Sequence, residues 1–264
     1  MTSITITTVL ALVLICLITA NRAPAAYAAE QQYSMVGKWG SRGSGFGKFS
    51  QPLDVAIDPS GNVYVSDFGN AQNGIQKFTS NGTFITSWGS TGLGDGQFIN
   101  PGGIAVDSAG NVYVGDFGEN NRIQKFDSNG KFITKWGTPG TGDGQFTTPA
   151  DIVIDKAGNL YVVDAGNDRI QKFDSNGKFI TKWGTTGSAD GQLSRPIGIA
   201  IDSSGNIYVC DNANNRIQKF DNNGKFITKW SVDTPGGIAV GPNGKIYIVN
   251  QNSASMEIYS PVLS

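Results

Sequence analysis

The sequence predicts an all-β protein built from repeats of one four-stranded unit, and three observations carry this prediction. The segment RIQKFDSNGKFITKWGT begins at Arg122 and again at Arg169, and its first fifteen residues recur with one substitution from Arg216. Glycine accounts for 36 of the 264 residues, which suits short strands joined by tight turns. Tryptophan recurs every 47 to 49 residues, at Trp39, Trp88, Trp136, Trp183 and Trp230. Because one such sheet cannot bury both of its faces, we expect the copies to stack around an axis as the blades of a β-propeller.

Each repeat contains four candidate strands joined by turns. In the second copy these are PGGIAVD (101–107), NVYVGD (111–116), RIQKF (122–126) and KFITKW (131–136). The last two are separated by DSNG (127–130), and Asn-Gly supplies both positive-φ positions of a type I′ hairpin turn. The last strand alternates Phe132, Thr134 and Trp136 with Ile133 and Lys135, as a strand with two different faces does.

The count of repeats predicts five four-stranded blades. They cover approximately 52–88, 101–136, 149–183, 196–230 and 235–260. The last repeat is not followed by a KFITKW-like segment, but MVGKWG (35–40) aligns with FITKWG. We therefore predict that segment 34–39 completes the last blade and closes the ring, which also removes two free sheet edges. A ring of the six-bladed type with a gap is the alternative.

The first 29 residues form a separate unit. Residues 4–20 are nearly all apolar, and Ala26-Tyr27-Ala28 fits a small-residue cleavage site. Residues 1–29 are therefore predicted to be a secretory signal peptide, and residues 30–264 to be the propeller. Because no Lys or Arg precedes the apolar run, an uncleaved N-terminal anchor is the alternative. We expect a secreted or cell-surface protein that touches a membrane only through this segment, if at all. With Cys210 as the single cysteine after residue 29, the propeller cannot contain an internal disulfide.

Charge and composition argue against several functions. The chain has 20 basic and 21 acidic residues, without the basic excess that nucleic-acid binding needs, so no nucleic-acid partner is expected. Histidine is absent altogether, which removes the commonest general base and zinc ligand.

The repeated pattern resembles the NHL repeat. It reads P-x-G-I-A-V-D, then G-N-[VIL]-Y-V-x-D, N-x-R-I-Q-K-F and G-x-x-G-x-G-D-G-Q-F-x-x-P, over roughly residues 34 to 260. The resemblance implies a propeller, but similar rings serve as RNA readers, protein-interaction platforms, extracellular sensor domains and amidating lyases. The amidating lyases resemble zinc enzymes with histidine ligands, and propeller lyases of the streptogramin type use a histidine acid/base. Neither activity transfers to a chain without histidine.

The residues that recur in the repeats are expected to be structural. A strand-end aspartate that bonds loop amides and a downstream arginine would satisfy a buried carboxylate. This set comprises Asp67, Asp116, Asp164, Asp211, Arg122, Arg169 and Arg216. The aspartates of the GDGQF-type loops are expected to be turn residues; these are Asp95, Asp143 and Asp190.

Positions at which the copies differ are candidates for ligand binding. Asp54 and Asp151 lie at the start of two innermost strands, where the other three blades carry glycine. We expect both carboxylates and Arg195 at the mouth of the central channel, where a cation, an amine or a hydroxylated ligand would bind. No cofactor is expected; the alternative is calcium at Asp54 and Asp151, as in lactonase-type propellers.

The loops between second and third strands also vary, and we expect them on the same face as the channel mouth. The predicted contact residues on this loop face are Phe68, Phe117, Glu119, Asp168 and Asn212. One glycosylation sequon is present, at Asn81.

The sequence thus favours an exported, monomeric, non-catalytic binding or scaffold protein with a protein, glycan or envelope ligand on its loop face. A metal-dependent lactonase-like or lyase-like enzyme and an RNA-binding domain are the alternatives.

Overall fold

The computed structural model describes residues 37–72 and 74–260, and almost all of its regular elements are β-strands. Two single-turn 3-10 helices, Ala165–Asn167 and Asn212–Asn214, are the exceptions among these residues. None of the helices in this part of the chain is long and apolar enough to cross a membrane. The predicted leader (1–29) and the first two residues of MVGKWG lie outside the described residues.

Two short strands precede the blades, β1 (Ser41–Arg42) and β2 (Lys48–Phe49). Blade 1 contains β3 (Gln51–Ile57), β4 (Val63–Phe68), β5 (Ile75–Phe78) and β6 (Phe84–Trp88). Blade 2 contains β7 (Asn100–Val106), β8 (Val112–Phe117), β9 (Arg122–Phe126) and β10 (Phe132–Trp136). Blade 3 contains β11 (Pro149–Ile154), β12 (Leu160–Asp164), β13 (Arg169–Phe173) and β14 (Phe179–Trp183).

Blade 4 contains β15 (Pro196–Ile201), β16 (Ile207–Asp211), β17 (Arg216–Phe220) and β18 (Phe226–Ser231). Blade 5 contains β19 (Pro235–Val240), β20 (Ile246–Asn250) and β21 (Ser255–Tyr259). The strands of each blade pair antiparallel in chain order, and the first strands of successive blades lie side by side, around the channel. The protein is therefore an all-β propeller with five blades, as the repeat predicted. Four blades have four strands, and the described part of the fifth has three.

The hairpin between third and fourth strands is held by its own side chains. In blade 2, Oδ1 of Asp127 accepts hydrogen bonds from the amides of Asn129 and Lys131, at 2.8 and 2.9 Å. Gly130 alone takes a positive φ, of 84°, and the register shifts after Phe132. This is a turn followed by a glycine bulge rather than the predicted type I′ turn, because Asn129 keeps a negative φ.

The core lies between blades rather than within them. Tyr64 and Ile75 of blade 1 pack with Ile104, Val112 and Phe126 of blade 2 in one buried cluster. Three more clusters join blades 2 and 3, blades 3 and 4, and blades 4 and 5. The near-identical repeats thus create near-identical interfaces, which is why the sequence is repeated.

A tryptophan on a hairpin glycine adds a second contact to each interface. A Cβ added at Gly177 of blade 3 would lie 2.4 Å from the indole of Trp136 of blade 2, so only glycine allows the ring to rest on the backbone. The other pairs of this kind are Trp88 with Gly130, Trp183 with Gly224, and Trp39 with Gly82.

The segment before blade 1 repeats the connection between two blades. Trp39 lies 4.5 Å from Phe78 between ring centroids, and β1 pairs in parallel with β2 as Thr91 bridges in parallel to Phe98. Trp39 therefore occupies, relative to blade 1, the position that the last tryptophan of a blade occupies relative to the next. The predicted pairing of segment 34–39 with the last blade is not seen in the described residues, since Gly37–Gly40 contains no strand and β21 pairs with β20 alone.

The two ends of the row of blades are exposed. Val55 of β3 is 58% exposed, whereas Ile104, at the same position of blade 2, is 3% exposed. Met256 of β21 is 60% exposed, whereas Ile217, its counterpart in blade 4, is fully buried. Within the described residues the outward faces of blades 1 and 5 are thus uncovered, while the number of blades is five, as predicted, and not that of a six-bladed type.

Candidate functional site

The strand-end aspartates fix the connections between blades. In blade 3 the buried Asp164 accepts hydrogen bonds from the amide of Thr147 (2.9 Å) and from Nε of Arg169 (2.8 Å). The guanidinium of Arg169 also donates to carbonyls of the preceding connection, among them Gly142 and Gln145. Blades 2 and 4 repeat this arrangement with Asp116 and Arg122, and with Asp211 and Arg216.

Blade 1 has no arginine at the equivalent position. Asp67 accepts instead from the amides of Ser50 and Gln51 and from the side chain of Asn70. In all four blades the carboxylate is fully buried and accepts several hydrogen bonds from the chain, so its role within the fold is structural.

The start of the innermost strands alternates between aspartate and glycine, and the alternation has a geometric cause. Oδ2 of Asp54 in blade 1 accepts from the amide of Ile104 in blade 2 at 2.8 Å, and Oδ2 of Asp151 in blade 3 accepts from the amide of Ile199 in blade 4 at 2.9 Å. The intervening Gly103 lies so close to blade 3 that an added Cβ would be 2.5 Å from Cα of Asp151. Both carboxylates therefore lie at the channel and also connect neighbouring blades.

The two carboxylates influence each other. Burial raises the pKa of Asp54 above its ordinary value despite the two amides that donate to it. Burial also raises the pKa of Asp151, and the nearby charge of Asp54 raises it further. Asp151 in turn contributes to raising the pKa of the buried Cys210 thiol, after burial itself. A second negative charge is thus unfavourable at this end of the channel.

Asp54 and Asp151 line one cavity of about 350 Å³ at the channel mouth. Its wall also includes the ring of Phe117 and the side chains of Thr148 and Gln251, while glycines from blades 2, 4 and 5 leave the space open. The carboxylates have no salt-bridge partner among residues 37–72 and 74–260.

Arg195 does not line this cavity. It takes a left-handed backbone conformation, with φ of 49°, and its amide donates to Oδ1 of Asp168 at 2.7 Å. Arg195 is exposed, and Oδ2 of Asp168 accepts from the hydroxyl of Thr186. The structure thus places Arg195 and Asp168 together, outside the cavity.

The remaining predicted contact residues differ in accessibility. Phe68 and Phe117 are half-buried and stack on each other, with ring centroids 6.0 Å apart and planes 8° apart. Glu119 is exposed, whereas Asn212 is buried and donates to the carbonyl of Pro235 at 3.0 Å. Asn212 therefore joins blades 4 and 5 and is not accessible for contact.

The other two groups of predicted residues lie away from the channel cavity. The loop aspartates pair with exposed lysines of the outer strands, as Asp143 does with Lys182 at 2.6 Å. The equivalent pairs are Asp95 with Lys135 and Asp190 with Lys229. Asn81 is exposed in its hairpin turn, and its Oδ1 accepts from the hydroxyl of Thr83 at 3.0 Å.

Sequence reasoning missed Gln251 and Thr148 as cavity residues. Gln251 directly follows β20 and corresponds in the repeat to Phe68 and Phe117, the last residues of β4 and β8. Its Oε1 lies 3.5 Å from Nδ2 of Asn212. This register was available from the repeat alignment and was the signal that would have identified it. Over the described ranges, no group of three or more His, Cys, Asp or Glu side chains is arranged to hold a metal ion.

Comparison with known proteins agrees with this architecture. The NHL repeat family model matches residues 49–72 and 193–220, and a family described as a 6-bladed beta-propeller matches residues 109–182. No curated protein is significantly similar in sequence.

Several solved structures are similar in fold. A catalytically inactive virginiamycin B lyase from Staphylococcus aureus with quinupristin is 18% identical, covering 79% of this chain and 69% of the lyase, with a TM-score of 0.58. A nidogen/laminin complex is 20% identical, with 80% of each chain covered and a TM-score of 0.61. A Bacteroides caccae protein of unknown function is 15% identical, covering 75% and 70%, with a TM-score of 0.57. At these identities the likeness shows the fold alone.

Five antiparallel blades around a channel define a β-propeller. Two stretches of this propeller match the NHL repeat model, so it contains NHL repeats.

Proposed function

We propose that this protein is an exported, non-catalytic binding module that takes a positively charged group of a protein ligand into its channel mouth. The observation that carries the proposal is the cavity of about 350 Å³ lined by Asp54 and Asp151. The variable loops around this cavity would contact the rest of the ligand, as binding loops on rigid scaffolds do.

The electrostatics of the cavity favour a cationic ligand. Burial raises the pKa of both carboxylates, and the charge of Asp54 raises the pKa of Asp151 further, so the pair gains from a positive charge placed between them. An ammonium or guanidinium group supplies that charge together with hydrogen-bond donors for the carboxylate oxygens. The ring of Phe117 offers an apolar wall for the methylenes of a lysine or arginine side chain.

Calcium suits the cavity less well than an organic cation. Calcium takes roughly six to eight oxygen ligands. Asp54 and Asp151 supply four carboxylate oxygens, each of which already accepts a backbone amide. The site would therefore need most of its ligands from elsewhere.

A lyase function is not supported. The lyase to which the chain is similar in fold is inactive when one histidine is replaced by alanine, and this chain contains no histidine. The histidine that this lyase needs for activity thus has no counterpart here.

The test is calorimetric titration with the pentapeptide acetyl-Ser-Gly-Lys-Gly-Ser-amide and its norleucine counterpart. The lysine peptide should bind more tightly than the norleucine peptide, and more tightly as the pH rises and both carboxylates ionise. The D151N variant should bind the lysine peptide about ten- to a hundredfold more weakly, the effect of losing a hydrogen bond to a charged group.

The matched control is D143N, which removes an exposed carboxylate that pairs with Lys182 outside the cavity. Equal affinity for both peptides, or an equal loss in D143N, would overturn the proposal. A larger rise in melting temperature with calcium chloride than with the lysine peptide would replace the organic cation by a metal.

A further inference from the structure

A second surface lies at the outer edge between blades 4 and 5, away from the channel mouth. A groove of about 560 Å³ is lined there by Tyr208, Lys219, Lys229, Trp230, Ile246 and Tyr259, among others. We call it the Trp230 groove. At the other blade interfaces, the hairpin turn and fourth strand of the next blade fill the equivalent groove. Their contacts therefore indicate which groups a ligand of the Trp230 groove would carry.

The first difference concerns the tryptophan. Trp183 of blade 3 is covered by Gly224 of blade 4, in the turn before the fourth strand. Trp230 has no such glycine among the described residues, because blade 5 has no turn or fourth strand after Tyr259 in that part of the chain. Its ring packs against Tyr259, with centroids 5.9 Å apart, and borders the groove.

The second difference concerns hydrogen-bond donors. In blade 3, Nζ of Lys172 and the hydroxyl of Tyr161 both donate to the carbonyl of Asn222 in the next blade, at 3.0 and 3.4 Å. Blades 1 and 2 repeat this with the carbonyls of Ser128 and Ser175.

In blade 4, no carbonyl of the described residues accepts from Lys219 or from the hydroxyl of Tyr208. Lys219 lies 3.5 Å from Asp202, and its side chain is 23% exposed, against 9% for Lys77 of blade 1. The hydroxyl of Tyr208 donates to Oδ2 of Asp202 at 3.0 Å. The groove thus presents the ammonium of Lys219 as a donor at the place where the other interfaces supply a backbone carbonyl.

The third difference is the strand edge. In each four-stranded blade the third strand pairs with a fourth, as β17 does with β18, whereas β21 pairs only with β20 within residues 37–72 and 74–260. No other described strand lies on its outward edge next to the Trp230 groove, and such edges accept an added strand.

We propose that the Trp230 groove and the edge of β21 bind an extended segment of a partner polypeptide by strand addition. The segment carries a glycine turn that rests on Trp230, a turn carbonyl that accepts from Lys219, and a following strand that pairs with β21.

The chain's own N-terminal segment is a poorer occupant than a partner strand. Aligning residues 30–39 with 221–230 puts Tyr33 at the position of Gly224. A Cβ at Gly224 would already lie 2.4 Å from the indole of Trp183, so tyrosine cannot reproduce that contact.

The test uses a fluorescently labelled peptide with the sequence of residues 221–230, DNNGKFITKW, and fluorescence anisotropy with the full chain. Saturable binding is expected. A peptide with alanine in place of its glycine should bind at least tenfold more weakly, because the added methyl group meets the indole ring. A peptide with proline in place of threonine should lose binding, because the equivalent Thr228 pairs with Lys219 in β17 and proline removes its backbone donor.

Protein variants locate the site. K219Q should weaken binding about tenfold, the effect of losing one charge-assisted hydrogen bond. The matched control K172Q changes a lysine whose carbonyl partner lies within the chain, and it should leave peptide affinity unchanged.

Circular dichroism of every variant establishes that it is folded. No saturable binding by the folded wild-type chain, or equal losses in K219Q and K172Q, would overturn the proposal. A dimer in sedimentation that the peptide dissociates would also overturn it, because a second copy would then occupy the groove.

Discussion

Replacing Gly177 with alanine tests the contact between tryptophan and turn that recurs along the row of blades. Gly177 has a φ of 83°, and its Cβ would lie 2.4 Å from the indole of Trp136. Gly205 is the matched control, since it has a φ of 85°, closes the same kind of turn onto Asp202, and has open space around the added Cβ.

The expected costs separate backbone strain from packing. An L-residue in the left-handed region costs roughly 1–2 kcal/mol, which both variants incur. The clash with Trp136 adds about 1–3 kcal/mol, the usual range for overpacking. G205A should therefore lower the free energy of unfolding by roughly 1–2 kcal/mol and G177A by about 2–5 kcal/mol.

Urea unfolding followed by circular dichroism measures this difference, provided that the free energy of unfolding depends on urea concentration with the same slope in both variants. In a Trp136→Leu background the two substitutions should cost nearly the same, because the clash is gone and only the backbone term remains. Equal costs in the wild-type background would refute the view that the ring rests on the turn.

Two further predictions concern buried charges. R169A should lower the free energy of unfolding by about 3–5 kcal/mol, because it leaves Asp164 buried without its cation. K182A should have no measurable effect, because its pair with Asp143 is half exposed. Similar urea midpoints for the two variants would contradict this prediction. D151N should flatten the pH dependence of stability. The folded-state pKa of Asp151 lies above the unfolded value of 3.8, so its contribution to stability is fully present below that value and is lost as the pH rises towards the raised pKa. A melting temperature of D151N that falls with pH as steeply as that of the wild type would exclude this explanation.

The blades could be predicted from the repeat, whereas contacts between segments that are distant in sequence could not. The strand bounds and the interfaces could be predicted from one unit, because each blade meets its neighbour through the same positions of the repeat. Ile104 and Val112 of blade 2, for example, pack against Tyr64 of blade 1. Asp54 and Asp151 were placed at the channel because innermost strands must line it. Arg195 was misplaced because its left-handed backbone, held by Asp168, is a local conformation that no spacing indicates.

The end of the ring depends on a different kind of information. Pairing of segment 34–39 with blade 5 would join parts of the chain more than 200 residues apart in sequence. Alignment of MVGKWG with FITKWG places Trp39 correctly on Gly82 but carries no information about the angle between successive blades. That angle follows from side-chain packing at each interface and decides whether five blades meet.

The exposed faces of β3 and β21 give the molecule two ends. In the described part of the chain, blades 2, 3 and 4 each pack against two neighbouring blades, whereas blades 1 and 5 each pack against one. The free energy of local opening should therefore be greatest in blade 3 and decrease towards blades 1 and 5.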